Sequence, residues 1–257
     1  MKDEVTKFSQ CKLCLGENSV VGNLRKSHIV PRFMLLKSKD RKNGKSIVYS
    51  GRGPSKISQF DWKEYMLCGS CELVMKGHED YLNQVFFTRK NCGEMWIKAD
   101  HAIYLENNTK IFIAFATIFW RASISSLPEF KMVLVPDYVA ETFRVWILNG
   151  SIEKGWDKSI TLRVLNILFD NQTSAEFLHI PFVRREQELG CFQYVFVFGG
   201  LCCIFELPPA QKKPTSFKFF LKDWSNIFRV QRVHFTEIPE LYSVATEMLE
   251  ADTMKKI

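Results

Sequence analysis

Four cysteines fall in two equal pairs, Cys11-x-x-Cys14 and Cys68-x-x-Cys71. Two residues between thiols is the spacing of a zinc knuckle, in which a tight turn aims both thiolates at one tetrahedral ion. Four thiolates complete that coordination and leave no open position, so such a zinc is expected to stabilise folding rather than to catalyse. Buried free cysteines are the alternative, but they do not explain two equal spacings. Inside the clip, Ser27-His28-Ile29-Val30-Pro31 sets one histidine among Arg25, Lys26 and Arg32. A neutral imidazole there can take a proton from water. The alternative for His28 is a buried or supporting polar group beside the zinc. Glu72, His78 and Glu79 follow the second pair. On a helix, Glu72 and Glu79 share nearly one face, about two turns apart. Their oxygens suit Mg²⁺ or Mn²⁺. Lys76 lies between them, to bind phosphate or to pair with both glutamates. The alternative for the two acids is a solvated helix face.

Charge separates this region from the rest. Residues 1–100 hold 18 Lys+Arg against 11 Asp+Glu, the whole of the chain's +7, and the remaining 157 residues balance 17 against 17. Arg25 to Lys63 alone has 11 basic and 2 acidic residues. Such a cluster favours a phosphate-rich partner; a solvated lysine-rich loop is the competing reading. Arg25, Lys26, Arg32, Lys42, Lys45, Arg52 and Lys76 are the candidate contacts.

The elements that must position these residues read as α+β. Residues 1–100 form a zinc-organised module, with 41–59 a basic hairpin or mobile loop and a helix after Cys71. Residues 101–257 form a larger α+β region with an antiparallel sheet and an unassigned role in dimerisation, regulation or partner docking. In it, 107–126 reads as a buried helix. Pro136-Asp137 opens a second helix, which Asn149-Gly150 closes. Strand-like runs follow in 160–169, 177–183, 192–198, 201–207, 216–221 and 228–235, with Gly199-Gly200 as a tight hairpin turn. Arg121, a lone charge in an apolar helix, is expected to pair with a carboxylate. Cys92, Cys191, Cys202 and Cys203 have no such spacing; Cys202 and Cys203 read as packing, and His101, His179 and His234 as structural. The start lacks the apolar run of a signal peptide, and the longest apolar stretches fall short of a membrane span of about 20 residues. A soluble, cytoplasmic protein is expected, whose paired cysteines point to metal rather than disulfides.

Taken together, the first cysteine pair, Ser27-His28-Ile29-Val30-Pro31-Arg32-Phe33, Leu67-Cys68-Gly69-Ser70-Cys71-Glu72 and Glu79 resemble the HNH (ββα-metal, treble-clef) endonuclease family. The likeness is strongest to an uncharacterised prokaryotic branch with a Ser-His-Ile-Ile-Pro motif and covers about residues 8–90. It implies a treble-clef module and a metal-dependent nuclease acting on DNA ahead of RNA, with a role in antiviral defence. It implies His28 as general base, with Glu72 and either Glu79 or His78 holding the catalytic cation. The family's acid before the histidine is Ser27 here, and Glu72 stands where the family has His or Asn. A zinc-stabilised module that binds nucleic acid or a protein partner without cleaving is the alternative. The nuclease reading requires His28 and Glu72 to converge within about one bridging water or metal.

Overall fold

The computed structural model describes residues 10–16, 24–38, 46–49, 56–58, 61–88, 101–104, 108–152, 160–169, 172–173, 177–186, 190–207, 227–242 and 246. The architecture is mixed α+β, in two compact units that interleave along the chain.

The first unit comprises Met1–Pro31, Asp61–Phe87 and Thr109–Glu153. Here β1 (Arg25–His28) pairs antiparallel with β4 (Lys63–Leu67), Ser27 opposite Glu64 and His28 opposite Lys63. The segment between them, with α1 (Arg32–Lys37), β2 (Ser46–Tyr49) and β3 (Lys56–Ser58), belongs to the second unit. Helix α2 (Gly69–Asn83) begins just after β4, so hairpin and helix form a ββα element. Cys68, in extended conformation, stands at its N-cap. Cys71, Met75 and Leu82 are its buried stripe, spaced for one helical face.

Helix α3 (Asn108–Ser123) is buried from Ile111 to Ala122, as expected of a helix apolar on every side. Helix α4 (Asp137–Asn149) follows Pro136 and ends on Gly150, whose φ of 63° is the left-handed closure that glycine adopts without strain. Val139, Phe143, Trp146 and Ile147 give α4 one buried stripe. Phe143 lies 5.0 Å from Phe119, 5.5 Å from Trp146 and 6.3 Å from Phe112 between ring centroids. Burying each such side chain contributes about 1.5–3 kcal/mol, so this aromatic core holds α3 and α4 together.

The second unit comprises Arg32–Phe60, Thr88–Asn108 and Lys154–Ile257. Its remaining strands are β5 (His101–Tyr104), β6 (Thr161–Phe169), β7 (Gln172–Thr173), β8 (Phe177–Glu186), β9 (Cys191–Phe198), β10 (Leu201–Leu207) and β11 (Ile227–His234). They form one sheet with β2 and β3, in the order β3-β2-β8-β9-β10-β6-β11-β5, and β7 adds to β6. The pairs are antiparallel except β2 with β8 and β11 with β6, so the sheet is mixed where an antiparallel one is expected. Gly199 (φ 58°) and Gly200 (φ 80°) make the β9–β10 turn, the primed geometry that suits strand twist. The ladder of β8 shifts between His179 and Phe182, around Pro181, which has no N–H to donate. Strands β9 and β10 are buried on both faces except at Phe192, which explains their unbroken apolar sequence.

The expected helices and strands appear, except that 208–226, with the expected run 216–221, lies outside the described residues. The units cross the boundary expected near residue 100. The hairpin closes β1 onto β4 and sends the segment between them to the second unit, while α3 and α4 supply the first unit's core. Among the described residues, no helix is long and apolar enough to cross a membrane.

Candidate metal centre and active site

Two turns build the cysteine cluster. In the first, the Leu15 amide donates to the Cys11 carbonyl at 2.9 Å, and Leu15 (φ 56°) and Gly16 (φ 88°) carry the chain through the left-handed region. The Lys12 amide donates to the Met66 carbonyl at 2.9 Å, tying this turn to β4. The second turn is the start of α2, where the Glu72 amide donates to the Cys68 carbonyl at 3.0 Å. The Cys68 amide also donates to Cys11 Sγ at 3.3 Å.

All four cysteines are buried, and their sulfurs lie within 4.8 Å of one another. Cys14 Sγ and Cys68 Sγ are 3.9 Å apart. A tetrahedral zinc with Zn–S bonds of about 2.3 Å has S···S edges of about 3.8 Å, so this donor set fits a metal ion such as zinc. Burial pushes the Cys11 and Cys71 thiols up, as expected of packed sulfurs that hold negative charge only against a cation.

Strand alternation splits the residues around His28 between two faces. Ser27 points inward, fully buried, and its hydroxyl donates to a Glu72 carboxylate oxygen. Glu64, opposite Ser27, accepts from the Ser125 hydroxyl at 2.8 Å and the Ser126 amide at 2.9 Å, just beyond α3. His28 lies on the other face. Its Nε2 is 3.0 Å from Asp61 Oδ1, and Lys63 Nζ is 2.6 Å from Asp61 Oδ2. A carboxylate only accepts, so Nε2 carries the proton and Nδ1 keeps a lone pair when the ring is neutral. Burial, then the charge of Lys63, pushes the His28 pKa down against the opposing pull of Asp61, and Arg121 adds to the fall. Burial acts to raise the Asp61 carboxyl, but the bond from Lys63 and the nearby His28 bring it below the usual carboxylate range.

The expected cation ligands do not assemble. Glu72 is half-buried against Ser27. Glu79 Oε1 is 2.5 Å from Arg121 Nη2 on α3, the carboxylate partner expected for that buried guanidinium. Arg121 Nε also donates to the Thr117 carbonyl at 3.2 Å. His78 Nε2 is 3.3 Å from the Ile147 carbonyl of α4. Six residues along the helix from Glu72, it falls on a different side. Among the described residues, the four cysteines are the group of three or more ligand side chains placed to hold a metal ion.

Of the candidate phosphate contacts, Arg25, Lys26 and Lys76 are exposed in the first unit, and Arg32 is exposed at the start of α1 in the second. Lys42, Lys45 and Arg52 lie outside the described residues. Sequence reasoning missed Asp61 and Lys63. Asp61 is one of the two acids in the basic stretch from Arg25 to Lys63, and the register of a β1–β4 hairpin is the signal that would have found it.

Fold and site thus define a mixed α+β protein with a buried cluster of four cysteines that could hold a metal ion and a histidine–aspartate pair on the adjacent hairpin. Comparison with family models, with curated proteins and with solved structures finds no match in any of the three.

Proposed function

We propose that this protein is an HNH-like nuclease that hydrolyses phosphodiester bonds of nucleic acid, DNA ahead of RNA, within a zinc-stabilised ββα module. The observation that carries the proposal is the His28–Asp61 pair. Asp61 fixes the imidazole tautomer and orientation, and burial with Lys63 keeps the ring neutral, the form that accepts a proton. His28 Nδ1 takes the proton of the attacking water. Lys63, Arg25 and Lys26 offset phosphate charge.

Glu72 supports the same reading. Its carboxylate is bonded to Ser27, the residue at which the resembled family carries an acid before the histidine. Mg²⁺ or Mn²⁺ binds through one or two carboxylates plus water and substrate phosphate. Glu72 is the protein ligand it would use, and the cation would supply charge neutralisation at the phosphate. Glu79 and His78 are held by Arg121 and Ile147, and no step depends on them. The setting we propose is cytoplasmic antiviral defence, with residues 101–257 serving docking or dimerisation.

A binding module without cleavage is favoured by two observations: Glu72 and Glu79 already have internal partners, and His28 and Glu72 lie toward opposite faces of the hairpin rather than converging. Plasmid and RNA cleavage with Mg²⁺ or Mn²⁺ decides between the two. Cleavage should be lost in His28→Ala and fall by about a hundredfold or more in Asp61→Asn, the range of a positioned general base. Wild-type protein that binds nucleic acid but leaves it intact would establish the binding module instead.

A further inference from the structure

The outer face of the β1–β4 hairpin carries, beside the proposed base His28, an exposed aromatic that neither the cysteine cluster nor the proton transfer uses. Lys26 stands opposite Tyr65 and His28 opposite Lys63, so these four side chains share one face. Lys26 Nζ lies 5.2 Å from the Tyr65 ring centroid, and Tyr65 is 58% exposed. An exposed aromatic costs burial that a core position would recover, and this one is flanked by two lysines. The one acid on this face, Asp61, is bound by His28 and Lys63. We propose that this face binds single-stranded nucleic acid, with Tyr65 stacking on an unpaired base and Lys26 and Lys63 on the flanking phosphates.

The proposal rests on the reading that the chain handles nucleic acid, and it names the substrate form. Cations along a groove and an aromatic face for an unstacked base are the two requirements of single-strand binding. In a duplex the base faces are covered by their neighbours, so Tyr65 has nothing to stack on. The rows of Lys26 and His28 are two residues apart, about 7 Å along a strand, comparable with one nucleotide of an extended chain. A base on Tyr65 therefore presents the next phosphate to His28.

The test is fluorescence anisotropy on the full chain without added Mg²⁺ or Mn²⁺. The probes are short labelled single-stranded DNA, single-stranded RNA and duplexes of the same sequences. Single strands should bind more tightly than duplexes. Tyr65→Ala should weaken single-strand binding roughly ten- to a hundredfold, the range of one base–aromatic stack, and Tyr65→Phe should retain it. Lys26→Ala should flatten the salt dependence by about 0.7 in log–log slope. A two-stranded ribbon also fits a duplex major groove, so preference for duplex overturns the proposal, as does unchanged binding by Tyr65→Ala. Failure of the nuclease reading shows differently: binding behaves as stated while the Mg²⁺- or Mn²⁺-supplemented wild type cuts nothing.

Discussion

Removing Glu79 should damage the first unit more than removing its partner Arg121. The two side chains differ in access to water, Arg121 at 2% exposure and Glu79 at 19%. Glu79→Ala leaves a permanently charged guanidinium in the α3 core, its Nε still donating to the Thr117 carbonyl at 3.2 Å. Stranding one partner of a buried pair costs about 3–5 kcal/mol. Arg121→Met fills the same space and leaves a carboxylate that can turn to water, so it costs about 1–2 kcal/mol for the lost bond. The double variant should match Arg121→Met, because the stranded charge is gone, giving a coupling of about 3–5 kcal/mol, the whole cost of Glu79→Ala. Urea unfolding followed by tryptophan fluorescence reads this, since Trp62, Trp120 and Trp146 are all buried in the first unit. Glu79→Ala costing no more than Arg121→Met would refute the reasoning. Cleavage lost in Glu79→Ala with stability intact would return Glu79 to the cation site.

Three further outcomes are expected. Metal analysis should find zinc, and stripping it or making Cys71→Ser should unfold the first unit, because zinc binding by small domains, about 10–16 kcal/mol, matches or exceeds a domain's net stability; a native spectrum after complete metal removal would contradict this. Burial lowers the pKa of His28, His78 and His179. Below about 6.5, the ordinary histidine value, the unfolded chain therefore binds protons that the native state refuses. Stability should be complete above that pH and fall as pH drops through it, levelling off below the lowered values. Urea midpoints across pH 5–8 check this, and His179→Gln, which removes a ring whose Nε2 is buried without a hydrogen-bond partner among the described residues, should shallow the fall. Gly199→Ala, at φ 58° in the β9–β10 turn, should cost about 1–2 kcal/mol, seen as a lower melting temperature; an unchanged melting temperature would argue against the left-handed turn.

What could be read in advance followed physical locality. The equal cysteine spacings sufficed to expect the four cysteines together, because each pair is a local turn and the expected tetrahedral ion requires that they meet. Helices α3 and α4 were legible from apolar runs and from Pro136 and Gly150 at their ends. The β9–β10 hairpin was legible from two adjacent glycines. The two parallel pairings, β2 with β8 and β11 with β6, were not, because they join strands far apart in sequence and no short turn announces them. Asp61 was hidden for the same reason. It is 33 residues from His28, and nothing near either residue points to the other until β1 and β4 are paired. The interleaving of the two units was equally invisible, since the long connection between β1 and β4 reads as a loop within one module.

Under the proposed function, the strand position of Ser27 and His28 constrains how the site works. Neighbours on a strand face opposite ways, so one carboxylate cannot serve both without reaching around the backbone. The structure meets this with two acids from different elements. Glu72, from α2, reaches Ser27 on the inner face, and Asp61, two residues before β4, reaches His28 on the outer face. Expecting His28 and Glu72 to converge within about one bridging water or metal therefore asked one face to do the work of two. Under the proposed function the scissile phosphate has to sit at the end of β1, where the strand stops and both faces are within reach. Asp61→Asn should then impair proton transfer while leaving metal dependence unchanged. Glu72→Gln should raise the Mg²⁺ or Mn²⁺ concentration needed for half-maximal cleavage while leaving the pH profile in place. If both substitutions changed the same parameter, the two-faced site would be wrong.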